Sequence, residues 1–213
     1  MILRLIIRTI ANFLFTFGLG ILIFTYAPLA YSEVRYLTAK NTETNYSIDD
    51  KRVDENISEG SESENVVPIV PVDKDFSVII TEIDVNAPVV KDVTTVNQNE
   101  YMDALKNGVA HARGTALPGQ NGNMFIFAHS SLNFWQLGKY ATVFNLLDKL
   151  EPGDSIIFYY EGKPYVYEVF QKKLVSGWDT RPFADEYDVP VVTLVTCYPP
   201  GTTKDRLIIK AKM

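Results

Sequence analysis

The chain has 213 residues, a formal net charge of −6 and a hydrophobic fraction of 46%. That length allows one domain, or at most two, with a real core, and an acidic balance without a basic patch argues against a nucleic-acid partner. A single cysteine and two histidines exclude an intramolecular disulfide and a zinc-type cysteine cluster.

The N-terminus reads MILRLIIRTIANFLFTFGLGILIFTYAPLAYSE, with no charged residue from Thr9 to Ser32. As a helix that run would extend roughly 36 Å, enough to cross a hydrocarbon core of about 30 Å with some tilt. Arg4 and Arg8 precede it and no such cluster follows closely, which sets the N-terminus inside and the rest of the chain outside. Tyr26 and Tyr31 suit the far interface. A cleaved signal peptide is the competing reading. The length of the run and the poor small-x-small site at Ala27-Pro28-Leu29-Ala30 favour an uncleaved anchor over residues 1–37.

Between Thr38 and Asn65 there are eight Asp/Glu and three Lys/Arg, so most of the net charge sits here. The stretch has neither helical nor strand periodicity, and too little apolar surface to offset its ordering entropy. Residues 38–75 therefore read as a disordered acidic tether. Asn56-Ile57-Ser58 has the form of a glycosylation acceptor, and Val66–Pro71 reads as an extended lead into a folded domain over 76–213.

From Phe76 the pattern changes. Phe76, Val78 and Ile80 alternate, and a second short strand runs through Val85 and Ala87–Val90. Asn99–Lys106 reads as a short helix ended by Asn107-Gly108. Val109–Ala112 and Met124–His129 are strands on either side of a Gly/Pro/Asn loop. Thr142–Leu150 gives a helical turn or two. Ser155–Tyr160 and Lys163–Leu174 form a hairpin about Glu161-Gly162, and Val191–Thr196 and Arg206–Lys212 close the chain. Eight short strands with brief helices between them point to a mainly β domain, a sandwich or a closed barrel, and not to a doubly wound sheet.

The chemistry gathers at the last two strands. Cys197 follows a β-branched run and precedes the turn Tyr198-Pro199-Pro200-Gly201. It is either a buried core thiol or a nucleophile activated by a nearby cation. Arg206 heads the next strand. It either lies on a solvated face with Ile208, Lys210 and Lys212, or reaches the thiol with its fork of donors. His129, at the end of MFIFAH, is the better placed histidine for proton transfer; the neighbours of His111 look structural.

The segments TLVTC (Thr193–Cys197), DRLII with Arg206, and GTALPGQNGNMFIFAH (Gly114–His129) resemble the active-site signatures of sortases. The resemblance spans about 76–213 and also accounts for the anchor and tether. It implies a single closed eight-stranded β-barrel with short connecting helices behind one transmembrane helix. It further implies Cys197 as nucleophile, His129 as general acid/base and Arg206 as the cation that steadies substrate and oxyanion. Thr196, Ala128 and Ser130 would touch substrate, and the Ser176–Pro190 loop would shape the groove. TCYP and the compact C-terminus look more like the C, D or E classes than A or B. The family often has Gly-His-Arg where this chain has Ala128-His129-Ser130, which bears on sorting-signal preference more than on the chemistry.

The implied reaction is transpeptidation at an LPxTG-like sorting signal of a secreted protein. A thioacyl-enzyme would be resolved by a peptidoglycan-precursor or pilin amine outside the membrane. No metal or other cofactor is expected; calcium would have only acidic loop residues such as Asp185 and Glu186. A non-catalytic, membrane-tethered β-domain for adhesion or binding is the alternative. The Ser-His-Gly-Cys-type segment of L,D-transpeptidases does not occur.

Overall fold

The computed structural model describes residues 2–40, 46–48, 67–131, 137–179 and 181–213. The first element, α1 (Ile2–Lys40), is one helix long and apolar enough to cross a membrane. Most of the acidic stretch expected to be disordered lies outside the described residues. Within it, β1 (Tyr46–Ile48) pairs in parallel with β2 (Val67–Ile69). Asn86 then straps the incoming chain down: its Oδ1 accepts from Val72 N–H at 2.9 Å and its Nδ2 donates to the Val70 carbonyl at 2.8 Å.

Eight strands follow: β3 (Phe76–Ile80), β4 (Val85–Val93), β5 (Val109–Ala112), β6 (Gly122–Phe127), β7 (Ser155–Tyr160), β8 (Lys163–Ser176), β9 (Pro190–Tyr198) and β10 (Asp205–Lys212). They close into a barrel in the order β10-β8-β7-β3-β4-β5-β6-β9. The expected closed eight-stranded barrel is thus what the chain forms. Closure removes the sheet edges that an open sheet would leave exposed.

Strand alternation decides what fills the barrel. Val78, Met124, Ile126, Phe158, Leu194 and Ile209 point inward and are fully buried. Each such side chain contributes about 1.5–3 kcal/mol of transfer free energy. The β7–β8 hairpin turns on Glu161 (φ 50°) and Gly162 (φ 76°). Positive φ at both central residues gives a type I′ turn, whose twist matches the strands. The helix α2 (Gln98–Asn107) starts at Asn97, whose side chain accepts from the Asn99 and Glu100 amides, the usual satisfaction of orphan N–H groups.

The β8–β9 connection leaves one end of the barrel and re-enters at the other, so it crosses the outer face. The Phe183 ring sits 4.9 Å from Phe125, edge to face, and Asn123 Nδ2 donates to the Pro182 carbonyl at 3.2 Å. This cover explains why Val191, Val192, Thr193, Leu194 and Val195 are all buried despite alternating faces. A strand covered on both sides loses its polar alternation.

Candidate active site

β9 is longer than its apolar run suggests and carries Cys197 and Tyr198 inside the strand. The antiparallel register of β9 and β10 places Arg206 directly opposite Cys197. Directly opposed residues share a face, with Cβ atoms about 4.5–5.5 Å apart. On the other side β6 runs parallel to β9, from Gly122 opposite Pro190 to Phe127 opposite Val195. Two further bonds continue the alignment: Ala128 N–H donates to the Val195 carbonyl at 3.1 Å, and Thr196 Oγ–H to the Ala128 carbonyl at 2.9 Å. One more step in the same register sets His129 beside Cys197. The three residues therefore form a row across the ends of β6, β9 and β10. With strands about 4.8 Å apart, the row is roughly 10 Å long. All three lie on the outer face, since Ala128, Leu194 and Leu207 of the same strands belong to the interior cluster.

Each member has a distinct environment. Cys197 is half-buried and carries a free thiol. His129 is also half-buried; desolvation pushes its pKa below the ordinary imidazole value, and its Nε2 is buried without a hydrogen-bond partner. At neutral pH it is therefore an uncharged imidazole, able to take a proton from a neighbouring thiol. The Arg206 Nη1 donates to the carbonyls of Thr203 and Asp205, each at 3.1 Å. The guanidinium is thus held by its own loop close to Gly177. In this arrangement a thiol, a neutral imidazole and a fixed guanidinium occupy consecutive places on one surface.

The residues expected to touch substrate sit differently. Ala128, Ser130 and Thr196 are 7%, 4% and 3% exposed, with Ala128 in the interior cluster. They form the wall behind the row. The Ser130 carbonyl accepts from Gly201 N–H at 2.8 Å, which ties the segment after His129 to the loop between Cys197 and Arg206. That tie runs through backbone groups, so no side-chain signal announces it. The β8–β9 connection starts at Gly177, beside Arg206, and then crosses the outer face, where Lys210 anchors it. The Lys210 ammonium, almost fully buried, bonds to Asp185 and to Tyr187 Oη at 2.6 Å. Asp185, a candidate calcium ligand by sequence, is thereby engaged by a lysine. Among the described residues no group of three or more His, Cys, Asp or Glu side chains gathers.

His111 is fully buried away from the row. Its Nδ1 accepts from Asp92 N–H at 3.3 Å and its Nε2–H donates to the Ala116 carbonyl at 3.0 Å, an assignment made from the hydrogen-bond network. Burial lowers its pKa. It braces β5 against the loop that follows.

Comparison with known proteins agrees with this geometry. The family model described as a sortase domain matches residues 78–213. Sortase D of Bacillus subtilis (strain 168) is 28% identical over 113 residues, which is 52% of each chain. The chain thus spans about half the length of the curated relative it matches. Among solved structures, a Clostridium perfringens Sortase D5 transpeptidase is 31% identical with a TM-score of 0.52, over 68% of this chain and 81% of that one. Sortase C-1 from Actinomyces oris is 26% identical with a TM-score of 0.55, over 66% and 74%. The barrel, the row at its rim and a family match covering well over half the sequence lead to one assignment: this chain belongs to the sortase family.

Proposed function

We propose that the protein is a membrane-anchored cysteine transpeptidase that cleaves an LPxTG-like sorting signal and transfers the acyl part to an amine. The observation that carries this reading is the register pairing of Cys197 with Arg206, with His129 two residues past the end of the parallel strand β6, in line with Cys197 when that register is continued. Neutral His129 takes the Cys197 proton as the thiolate attacks the threonine carbonyl carbon of the signal. The negative oxygen of the tetrahedral intermediate is met by the Arg206 guanidinium. The C–N bond then breaks, and imidazolium His129 gives its proton to the departing glycine amine. An incoming amine, from a peptidoglycan precursor or a pilin lysine, attacks the thioacyl carbon and loses a proton to His129. The thiolate is expelled and takes the proton back from His129, which restores the starting thiol and neutral imidazole. No step in this scheme runs through a cofactor. In this reading Arg4 and Arg8 keep the N-terminus of α1 in the cytoplasm, and the barrel that follows α1 lies on the outer side.

The test is to incubate the full chain in detergent with a library of LPxTG-like peptides and to weigh the intact protein. The expected result is an acyl adduct on Cys197 that is absent from Cys197→Ala and strongly reduced in His129→Ala. A folded protein that forms no adduct with any peptide, and whose thiol alkylates at the same rate with or without His129, would leave the non-catalytic binding reading in place.

A further inference from the structure

The outer end of α1 does not simply point at the barrel; it is seated on it. Glu33 Oε1 pairs with Lys149 Nζ at 3.2 Å and Arg35 Nη1 with Asp84 Oδ2 at 2.7 Å. The Tyr36 ring packs against the barrel's interior cluster, with the Lys149 ammonium 5.8 Å from its centroid. A cavity of about 340 Å³ lies behind this contact, lined by Tyr31, Arg35, Glu82, Lys139, Tyr140 and Leu146 among others. An isolated surface ion pair stabilises by about 0–1 kcal/mol, so neither pair alone would hold the helix. Two pairs and a packed aromatic ring within four consecutive residues make an interface.

Strand directions show which end of the barrel is gripped. The catalytic row stands at the C-terminal ends of β6 and β9 and the N-terminal end of β10. Following the pairings round the barrel, that end also holds the start of β4, the end of β3 and the start of β7. The α1 seat is built there, from the β3–β4 connection at Thr81–Asp84 and from the segment leading into β7. The second of these touches the site directly in sequence and in space. Ser131, two residues after His129, donates its N–H to the Ala141 carbonyl at 2.9 Å, and residues 139–146 form the seat wall. Tyr31, placed at the far membrane interface by sequence, precedes Tyr36 by five residues. At 1.5 Å rise per residue the seat begins within roughly 8 Å of that interface.

We propose that the outer end of α1 is a docking seat that holds the barrel by its catalytic end, so that the Cys197 row works at the bilayer surface on chains still embedded in the same membrane. The catalytic clause rests on the transpeptidase reading; the seating does not. Glu33, Arg35 and Tyr36 are positioning residues with no part in the bond-making steps.

The full chain reconstituted in phosphatidylcholine/phosphatidylglycerol vesicles tests this. Cys197, the sole cysteine, takes a maleimide donor dye, and acceptor dyes are carried on lipid headgroups. Wild type should show strong transfer. Glu33→Lys/Arg35→Asp/Tyr36→Ala should lose it, and Glu33→Lys/Arg35→Asp combined with Lys149→Glu/Asp84→Arg should regain it. Weak transfer in wild type, or equal transfer in all three proteins, overturns the seat. On unlabelled protein, a soluble sorting peptide should acylate Cys197 equally in wild type and the triple variant. The same peptide fused to a transmembrane helix in the same vesicles should lose acylation in the triple variant. Equal acylation by the embedded peptide overturns the catalytic clause. No adduct with either peptide overturns the transpeptidase reading itself, while the transfer signal still decides the seat.

Discussion

Gly177→Ala tests how the cation of the row is held. Gly177 follows β8 and lies against the β9–β10 loop, its N–H donating to the Lys204 carbonyl at 3.1 Å. A Cβ at this position would stand 2.8 Å from the Thr203 carbonyl oxygen, 2.9 Å from that of Lys204 and 3.2 Å from Arg206 Nη1. Ordinary contact begins near 3.4 Å, so two backbone carbonyls must each retreat by about half an ångström, the kind of shape mismatch that overpacking imposes. The loop has little room to give. Gly201 N–H is bonded to the Ser130 carbonyl at 2.8 Å and Thr202 N–H to the Pro199 carbonyl at 3.0 Å. Overpacking of this kind costs about 1–3 kcal/mol. For a domain of this size each kcal/mol lowers Tm by roughly 2–4 °C. The Thr203 carbonyl is one of the two rests of the Arg206 guanidinium, so its displacement should also reduce turnover. Thermal unfolding followed by circular dichroism, together with peptide acylation kinetics, reads both effects. A Gly177→Ala protein with the wild-type Tm and wild-type acylation would refute the argument that this contact positions Arg206.

Thr196→Val keeps the shape of a buried residue and removes the hydroxyl that bonds the Ala128 carbonyl; urea unfolding should show a loss of about 1–3 kcal/mol, the cost of an unsatisfied buried acceptor, and an unchanged midpoint would count against the bond. Stability should also fall on acidification. Burial lowers the folded-state pKa of both His111 and His129, whereas the unfolded chain titrates near about 6.5. Below that value the unfolded state binds more protons, so the contribution is present above it and is lost as pH falls through the folded pKa values. His111→Gln should flatten the dependence of the urea midpoint between about pH 7.5 and 5.5; an identical slope would mean that this histidine does not contribute. Glu82 and Asp148, whose pKa values burial raises, act in the opposite sense nearer their own titration range, so the window stops short of it.

The strands were legible because they announce themselves through alternation and turn residues, as at Phe76–Ile80 and around Glu161-Gly162, but that pattern fits a sandwich as well as a barrel, and only the sortase resemblance pointed to closure. Cys197, His129 and Arg206 were legible as residue types with a familiar spacing. Their alignment was not. His129 and Cys197 are joined by a parallel register that exists only after the barrel closes, and no local pattern encodes a pairing across 68 residues. Lys210 shows the same limit from another side. Its alternation with Leu207 and Ile209 suggests a solvated face, yet it is 6% exposed, covered by Asp185 and Tyr187. The run Val191–Val195, apolar except for Thr193, was the available clue, because a strand with one wet face would have alternated. The seat of α1 also escaped, since a few charged residues after an apolar helix look the same whether or not they meet a partner.

The same closure that hides the site from sequence explains its construction. A thiol and an imidazole on separate loops would need each loop to be rigid. Here Cys197 rides on β9 and His129 lies two residues beyond β6, and the ties between the two segments are two backbone bonds, Ala128 N–H to Val195 and Gly201 N–H to Ser130, and the Thr196 Oγ–H bond to the Ala128 carbonyl. Interior packing of Ala128, Leu194 and Leu207 fixes the inward face of each strand, and alternation then leaves His129, Cys197 and Arg206 no other direction than outward. Side chains at Ala128 and Ser130 face the wall. A change there acts on the site by altering the spacing of β6 and β9, which predicts loss of stability alongside any loss of rate. Substitutions on the row itself should separate the two, removing turnover while leaving the barrel intact.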